Sequence, residues 1–178
     1  PKDTLFALKT LVKELHQRNI LTVVVGGEQE NTLGMFRGLS GMNTYINLTS
    51  IDARFDFGEP GILVSDDSYM SKIITEKPNN LKQFTNLGYQ SYYVSQEELD
   101  LMQKLFFDAY RLGDITADLH ESEPILRDTD ILSIDLSSVK ASELDDSKGL
   151  PNGFDGAQIC KLMRYAGLSD RLSVLGVF

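Results

Sequence analysis

Helix-patterned segments alternate with short apolar runs along this chain, and that alternation leaves few folds open to it. Leu5, Leu8, Leu11, Val12 and Leu15 recur at the spacing of an amphipathic helix. Leu21 to Val25 follows as a continuous, largely β-branched run, the pattern of a strand buried on both faces, and Gly26-Gly27 ends it. A short helix is expected over Asn31 to Leu39, turning Leu33, Phe36 and Leu39 inward, and then a strand over Thr44 to Ile51. A Gly/Pro-punctuated loop covers Phe57 to Asp67, and a helix over Tyr69 to Thr75 is stopped by Pro78. Gln83 to Val94 holds one or two strand pieces interrupted at Gly88. Ser95 with Glu98 forms a capping box that predicts a helix running to about Leu112. Asp130 to Leu136 is a strand, and a polar, acidic loop leads from it to Gly156. Ala157 to Ala166 is a helix closed by Gly167, and Leu172 to Phe178 is a last strand. This order implies right-handed crossovers and a mainly parallel sheet with helices on both faces, a three-layer α/β/α architecture. No internal repeat or low-complexity tract interrupts it, and the length suits a single domain over 1–178.

Charge and composition narrow the function classes. The formal net charge is −9, and the basic residues are scattered without an aromatic-interleaved stripe, which argues against nucleic acid and anionic membrane as partners. No apolar run approaches a membrane span, and no basic-then-apolar leader opens the chain. A lone cysteine allows no disulfide within the chain, and a cytoplasmic protein is the expectation. Cys160, inside the apolar helical stretch Ile159-Cys160-Lys161-Leu162-Met163, is expected to be a buried packing thiol. His16 in the first helix reads as a surface or packing residue, and His120, in an acidic loop over Asp118 to Glu123, as a solvated or capping one. The chain opens on Pro1 with helical pattern at once, so it is expected to be cut from something longer. Its partner, a small molecule or a protein, is left open, as is self-association into a homo-oligomer.

Chemistry in an open parallel sheet gathers beyond the carboxyl ends of the strands. Three such ends carry unusual polar groups: Gly26-Gly27-Glu28-Gln29-Glu30, Asp52-Ala53-Arg54-Phe55-Asp56, and Ser133-Ile134-Asp135-Leu136-Ser137. Buried carboxylates are costly in isolation, so their convergence calls for a cation or for hydrogen-bond donors among them. Each piece is weak alone. Gly-Gly after a strand is usually a turn, and Asp52 and Asp56 read equally as loop caps. Asp135, inside an apolar strand, is the most telling of the three.

In this order and spacing the pieces resemble the ureohydrolase family of arginases, agmatinases and formimidoylglutamases. Members carry Gly-Gly-Asp-His, Asp-Ala-His-x-Asp and Ser-x-Asp-x-Asp after successive strands, and these residues bind two manganese ions that activate a water for attack on a guanidino or imino carbon. The resemblance spans about Leu21 to Phe178, and Asp52-Ala53 with Asp56 is its most specific part. Pro151-Asn152-Gly153-Phe154 looks like the loop after the third motif in its formimidoylglutamase form.

The departures carry as much information. Gln29 stands where the first His ligand belongs, Arg54 replaces the His of the second motif, and Ser137 replaces the second Asp of the third. Asp52, Asp56 and Asp135 remain as a vestigial metal set. The resemblance then implies no catalytic residue, no bound cofactor in place of the family's two manganese ions, and a degenerate, inactive site. Gly58 to Ile74 contains no His for the proton shuttle of arginases, and the strand after which the family places a substrate-binding Glu is the last one here. The family strand upstream of the opening helix has no counterpart, so truncation at both ends is expected. Two other readings stay open: a C–N hydrolase with a rewired, single-metal site, and a small-ligand-binding α/β module. Histone deacetylases, with a related fold, need His-rich motifs that are absent. Arg54, permanently charged and two residues from both Asp52 and Asp56, is expected to reach inward and neutralise the aspartates.

Overall fold

Six short strands form the middle layer of the protein. The computed structural model describes residues 2–42, 45–58, 64–144 and 150–178. In chain order the elements are α1 (Lys2–Gln17), β1 (Thr22–Val25), α2 (Asn31–Ser40), β2 (Ile46–Ile51), α3 (Tyr69–Thr75), β3 (Leu81–Tyr89), α4 (Gln96–Lys104), β4 (Asp108–Arg111), α5 (Leu112–Ala117), α6 (Ser122–Arg127), β5 (Ile131–Ile134), α7 (Gly156–Gly167) and β6 (Val174–Val177). The strands lie in the order β1-β6-β5-β2-β3-β4, and every pairing is parallel. The expected mainly parallel three-layer architecture is therefore present, with a sheet that is parallel throughout. No helix among the described residues is long and apolar enough to cross a membrane.

Parallel strands need crossovers, and the helices that supply them cover both faces. On one face α1 to α4 pack Leu5, Val12, Leu33, Phe36, Ile73 and Met102 against Leu48 and Phe84 of the sheet. On the other, α5 to α7 bury Ile115, Leu126, Leu162 and Ala166 against Leu132 and Ile134. β2 lies inside the sheet with all six residues buried. Capping boxes, Ser95 with Glu98 and Asp155 with Gln158, fix the starts of α4 and α7.

Several expectations are corrected. β1 is not buried on both faces: it is the edge strand, and its exposure alternates, with Val25 77% accessible. A β-branched run records strand propensity, but only neighbours in space decide burial. The helix begun at Ser95 stops at Lys104, because Phe106 takes a left-handed φ of 57° and the chain turns into β4. The stretch around His120 is helical, since α5, a 3₁₀ turn at Leu119–Glu121 and α6 occupy it. Cys160 is exposed. The inward stripe of α7 is Ile159, Leu162, Tyr165 and Ala166, which leaves position 160 outside it. Gln83 to Val94 resolves into one strand, β3, that carries Gly88 at φ 108° beside a register shift. Thr44, the middle of the loop after Phe57, and residues 145–149 of the acidic loop lie outside the described residues.

Glycine lets α1 and α2 approach closely. A Cβ on Gly38 of α2 would stand 2.7 Å from the Cβ and Cγ1 of Val12 and 3.1 Å from the Lys9 carbonyl, both on α1. Gly113 of α5 faces open space. Gly38→Ala is therefore expected to destabilise the fold by about 1–3 kcal/mol. Gly113→Ala should be neutral or stabilise by up to about 1 kcal/mol. Urea midpoints at unchanged m-value give the comparison, and equal effects of the two substitutions would contradict the packing described.

Candidate functional site

The sequence-singled residues meet at the carboxyl ends of β1, β5 and β2. β2 and β5 are neighbours with Ser50 opposite Ser133 and Ile51 opposite Ile134. Asp52 and Asp135 follow directly, and the Asp135 N–H donates to the Ile51 carbonyl at 3.0 Å. Gly26 and Gly27, at φ 88° and 85°, turn the chain out of β1 and bring Gln29 over the same strand ends. Asp56 arrives from the loop after β2, held at a left-handed φ of 54° with its carbonyl accepting the Met70 N–H. Aspartate tolerates that conformation better than most residues, and here it accompanies a carboxyl that is turned inward.

The middle of this arrangement is a hydrogen-bonded polar cluster. The Gln29 side chain is buried, and its Nε2 donates to Ser50 Oγ and Tyr69 Oη at 3.3 Å each and to Ser133 Oγ at 3.4 Å. Thr32 of α2 joins Ser133 at 2.7 Å. Burial and the fields of Asp56 and Asp52 push the Tyr69 hydroxyl well above its ordinary pKa, so it stays protonated.

The carboxyls are less well provided. Burial, followed by the field of Asp135, raises Asp52 from 3.8 to about 7, opposed by Asp56, the Arg54 N–H and Gln29 as hydrogen-bonding partners. Asp56 is raised well above the ordinary carboxylate range by burial and then by the charge of Asp52. Asp52 Oδ1 accepts the Arg54 N–H at 2.8 Å, whereas Asp52 Oδ2 and Asp56 Oδ2 are buried without a donor among the described residues. A proton on Asp56 supplies the missing donor, so the pair is best satisfied when one carboxyl is ionised and the other is not. Asp135 is half-buried and turned along its own chain, where its Oδ1 accepts the Ser137 N–H at 2.8 Å and its Oδ2 the Ser137 hydroxyl. Its field reaches Asp52, Asp56 and Tyr69, yet no group of three His, Cys, Asp or Glu side chains among the described residues is gathered closely enough to hold a metal ion.

Arg54 departs from expectation. Its guanidinium lies 4.8 Å from the centroid of the Tyr93 ring, and no carboxylate among the described residues pairs with it. Its charge only mildly lowers Asp56. Arg54 serves the site through its main chain, with the N–H on Asp52 and the carbonyl accepting Asn86 Nδ2 at 2.7 Å. The cause is local: a backbone committed at both ends to Asp52 and Asn86 aims the side chain across to the tyrosine, where stacking offsets its desolvation.

Sequence reading missed Tyr69, Ser50 and Thr32, and named Ser133 without giving it a role. A signal for two of them was present, since β2 and β5 both end in Ser-Ile-Asp, at Ser50-Ile51-Asp52 and Ser133-Ile134-Asp135. In adjacent parallel strands in register, that repeat puts both serines side by side. Asn152 also enters, its carbonyl accepting Gln90 Nε2 at 3.1 Å, while Phe154 is buried beside Gly88. His120 is exposed as expected, though its Nδ1 meets Tyr165 Oη at 3.0 Å.

A carboxyl whose folded pKa exceeds its unfolded value binds more protons in the native state. Its contribution is therefore intact below the unfolded pKa near 3.8 and is lost as pH rises through about 7. Asp52→Asn should flatten the decline in melting temperature between pH 5 and 8 and raise the value at pH 8. A steeper decline in the variant would refute this account of the pair. Arg54→Ala should cost at most about 2 kcal/mol at neutral pH, the worth of a partly desolvated cation–π contact. A loss several times larger would restore Arg54 as the neutralising cation.

No protein-family model matches the chain, and no curated protein sequence matches it. Solved structures do. A formiminoglutamase of Trypanosoma cruzi, solved with manganese, superposes with a TM-score of 0.86 over 99% of this chain at 14% identity. The agmatine ureohydrolase of Thermoplasma volcanium gives 0.79 over 99% at 15% identity, and an arginase from Bacillus cereus 0.78 over 97% at 16%. The chain spans 62%, 59% and 68% of those three chains. The chain therefore has the fold that these formiminoglutamase, agmatine ureohydrolase and arginase structures share.

Proposed function

We propose that this chain is a formimidoylglutamase-like ureohydrolase homologue whose two-metal centre has been replaced by a metal-free polar cluster, leaving no C–N hydrolase activity. The observation that carries the reading is the orientation of Gln29. At the position of a ligating His its Nε2 faces three hydroxyls, and an amide nitrogen, unlike an imidazole nitrogen, offers no lone pair to a cation. The rest of the donor set points the same way. Asp135 is engaged by Ser137, and Asp52 Oδ1 by the Arg54 N–H. Asp52 Oδ2 and Asp56 Oδ2 are the buried carboxylate oxygens left without a hydrogen-bond partner among the described residues. Two carboxylate oxygens fall short of what a pair of hard divalent ions with a bridging water requires, so the residues do not fit a dimanganese centre.

The same two oxygens favour one competing reading, a single weakly held ion in a rewired hydrolase, because orphaned buried acceptors attract cations. The two readings separate on stoichiometry and on activity. Elemental analysis after equilibration with excess manganese is expected to give well under one ion per chain. No metal-dependent release of urea from arginine or agmatine, or of formamide from formimidoylglutamate, is expected. Activity that requires manganese and disappears in Asp52→Ala would refute the inactive reading. The triple change Gln29→His, Arg54→His and Ser137→Asp should recover divalent-ion binding, because the backbone frame of the three strand ends is retained. Continued failure of a folded triple variant to bind manganese would show that more than those three side chains separates this site from a metal centre.

A further inference from the structure

At the opposite end of the sheet, away from the aspartates, a cavity of about 550 Å³ lies between α1, α2, α3 and the turn into β3. It is lined by Lys9, Arg37, Lys72 and Lys77, with Glu76 the sole carboxylate among its lining residues. That concentration of cations is out of keeping with a chain of net charge −9. Three elements bring them together. The Gly38 contact draws α1 onto α2, which sets Lys9 near the Arg37 turn, and Arg37 in turn binds Glu76 at the end of α3 through Nε at 2.8 Å and through Nη2.

Basic residues at helix C-termini commonly serve only to satisfy terminal carbonyls. Here several of those carbonyls are already engaged. Asn80 Nδ2 donates to the Ser40 carbonyl, Asn79 Nδ2 to that of Ile74, and Thr75 Oγ1 to those of Ser71 and Lys72. The Glu76 N–H takes the Ile73 carbonyl. Glu76 is committed to Arg37, so Lys9, Lys72 and Lys77 have no carboxylate partner among the described residues and all three are exposed.

We propose that this cavity binds a phosphate-bearing small molecule, with Lys9, Lys72 and Lys77 as the charged donors. The choice of phosphate follows from which cations are free. A planar carboxylate is best matched by the arginine fork, and the only arginine here is occupied by Glu76. Lysine ammoniums act as separable point charges that suit the spread oxygens of a phosphate or diphosphate. The Ser40 hydroxyl, with no fixed partner among the described residues, adds a neutral donor at the rim. The site is independent of the metal question at the other end of the sheet.

Titration of the whole chain with inorganic pyrophosphate, followed by calorimetry and by amide chemical shifts, tests the proposal. The expected result is one saturable site that shifts the amides of Ser40, Gly41 and Thr75 and weakens as salt rises. In Lys72→Gln/Lys77→Gln the dissociation constant should rise by about tenfold or more, a change of about one charge-assisted contact. The control pair Lys104→Gln/Arg164→Gln, which removes the same charge elsewhere, should leave it unchanged. Absence of saturable binding, shifts confined to other surfaces, or equal weakening in both pairs would overturn the proposal. Citrate binding as tightly as pyrophosphate would overturn the assignment to phosphate.

Discussion

Everything at the candidate site depends on the in-register parallel pairing of β2 with β5. That ladder places Ser50 beside Ser133 and then releases Asp52 and Asp135 at the same level, with the Asp135 N–H tied back to Ile51. A slip of one residue between the two strands would leave the serines on opposite faces of the sheet and separate the two aspartates. Register is strongly specified here because both faces are packed: β2 and β5 are buried at every position.

On that frame the site solves a problem of buried charge. Asp52 and Asp56 are taken out of water with no salt-bridged cation among the described residues, since Arg54 turns to Tyr93. Two ionised carboxylates at such close quarters would repel each other through a low-dielectric interior. Protonation of Asp56, together with donors from Gln29 and the Arg54 main chain, offsets the cost. Gln29 links this pair to the uncharged half of the cluster by donating to Ser50, Tyr69 and Ser133. A fully buried network of this sort tolerates little change, because removing one member leaves its partners unsatisfied.

The two ends of the sheet differ in kind. At the carboxyl ends a closed polar cluster carries carboxyls at the limit of what burial allows. At the amino ends an open cavity is lined by lysines that have no carboxylate partner among the described residues. Helix approach explains the second as strand register explains the first: glycine at position 38 lets α2 come close to α1, and Arg37 with Glu76 fastens α3 beside them. Neither feature is visible in the overall charge of the chain, which is acidic.

The elements of the fold were largely legible in the sequence, because burial against a sheet imposes periodicity on each segment separately. Asp52, Asp56, Asp135 and Gln29 were legible too, as polar residues ending apolar strands. What the chain could not reveal locally was decided by neighbours in space. Val25 is exposed because β1 forms an edge, and Cys160 is exposed because the inward stripe of α7 passes through Ile159 and Leu162 instead. Tyr69 joins the site from a helix 40 residues beyond Gln29. Arg54 carries the charge that sequence logic would send inward, yet its backbone is held by Asp52 and Asn86 and its side chain by Tyr93. Residue type and spacing determined which strand ends would bear polar groups. Only the tertiary structure decided which of those groups face one another, because that depends on strand order, on register and on side-chain directions that no single segment encodes.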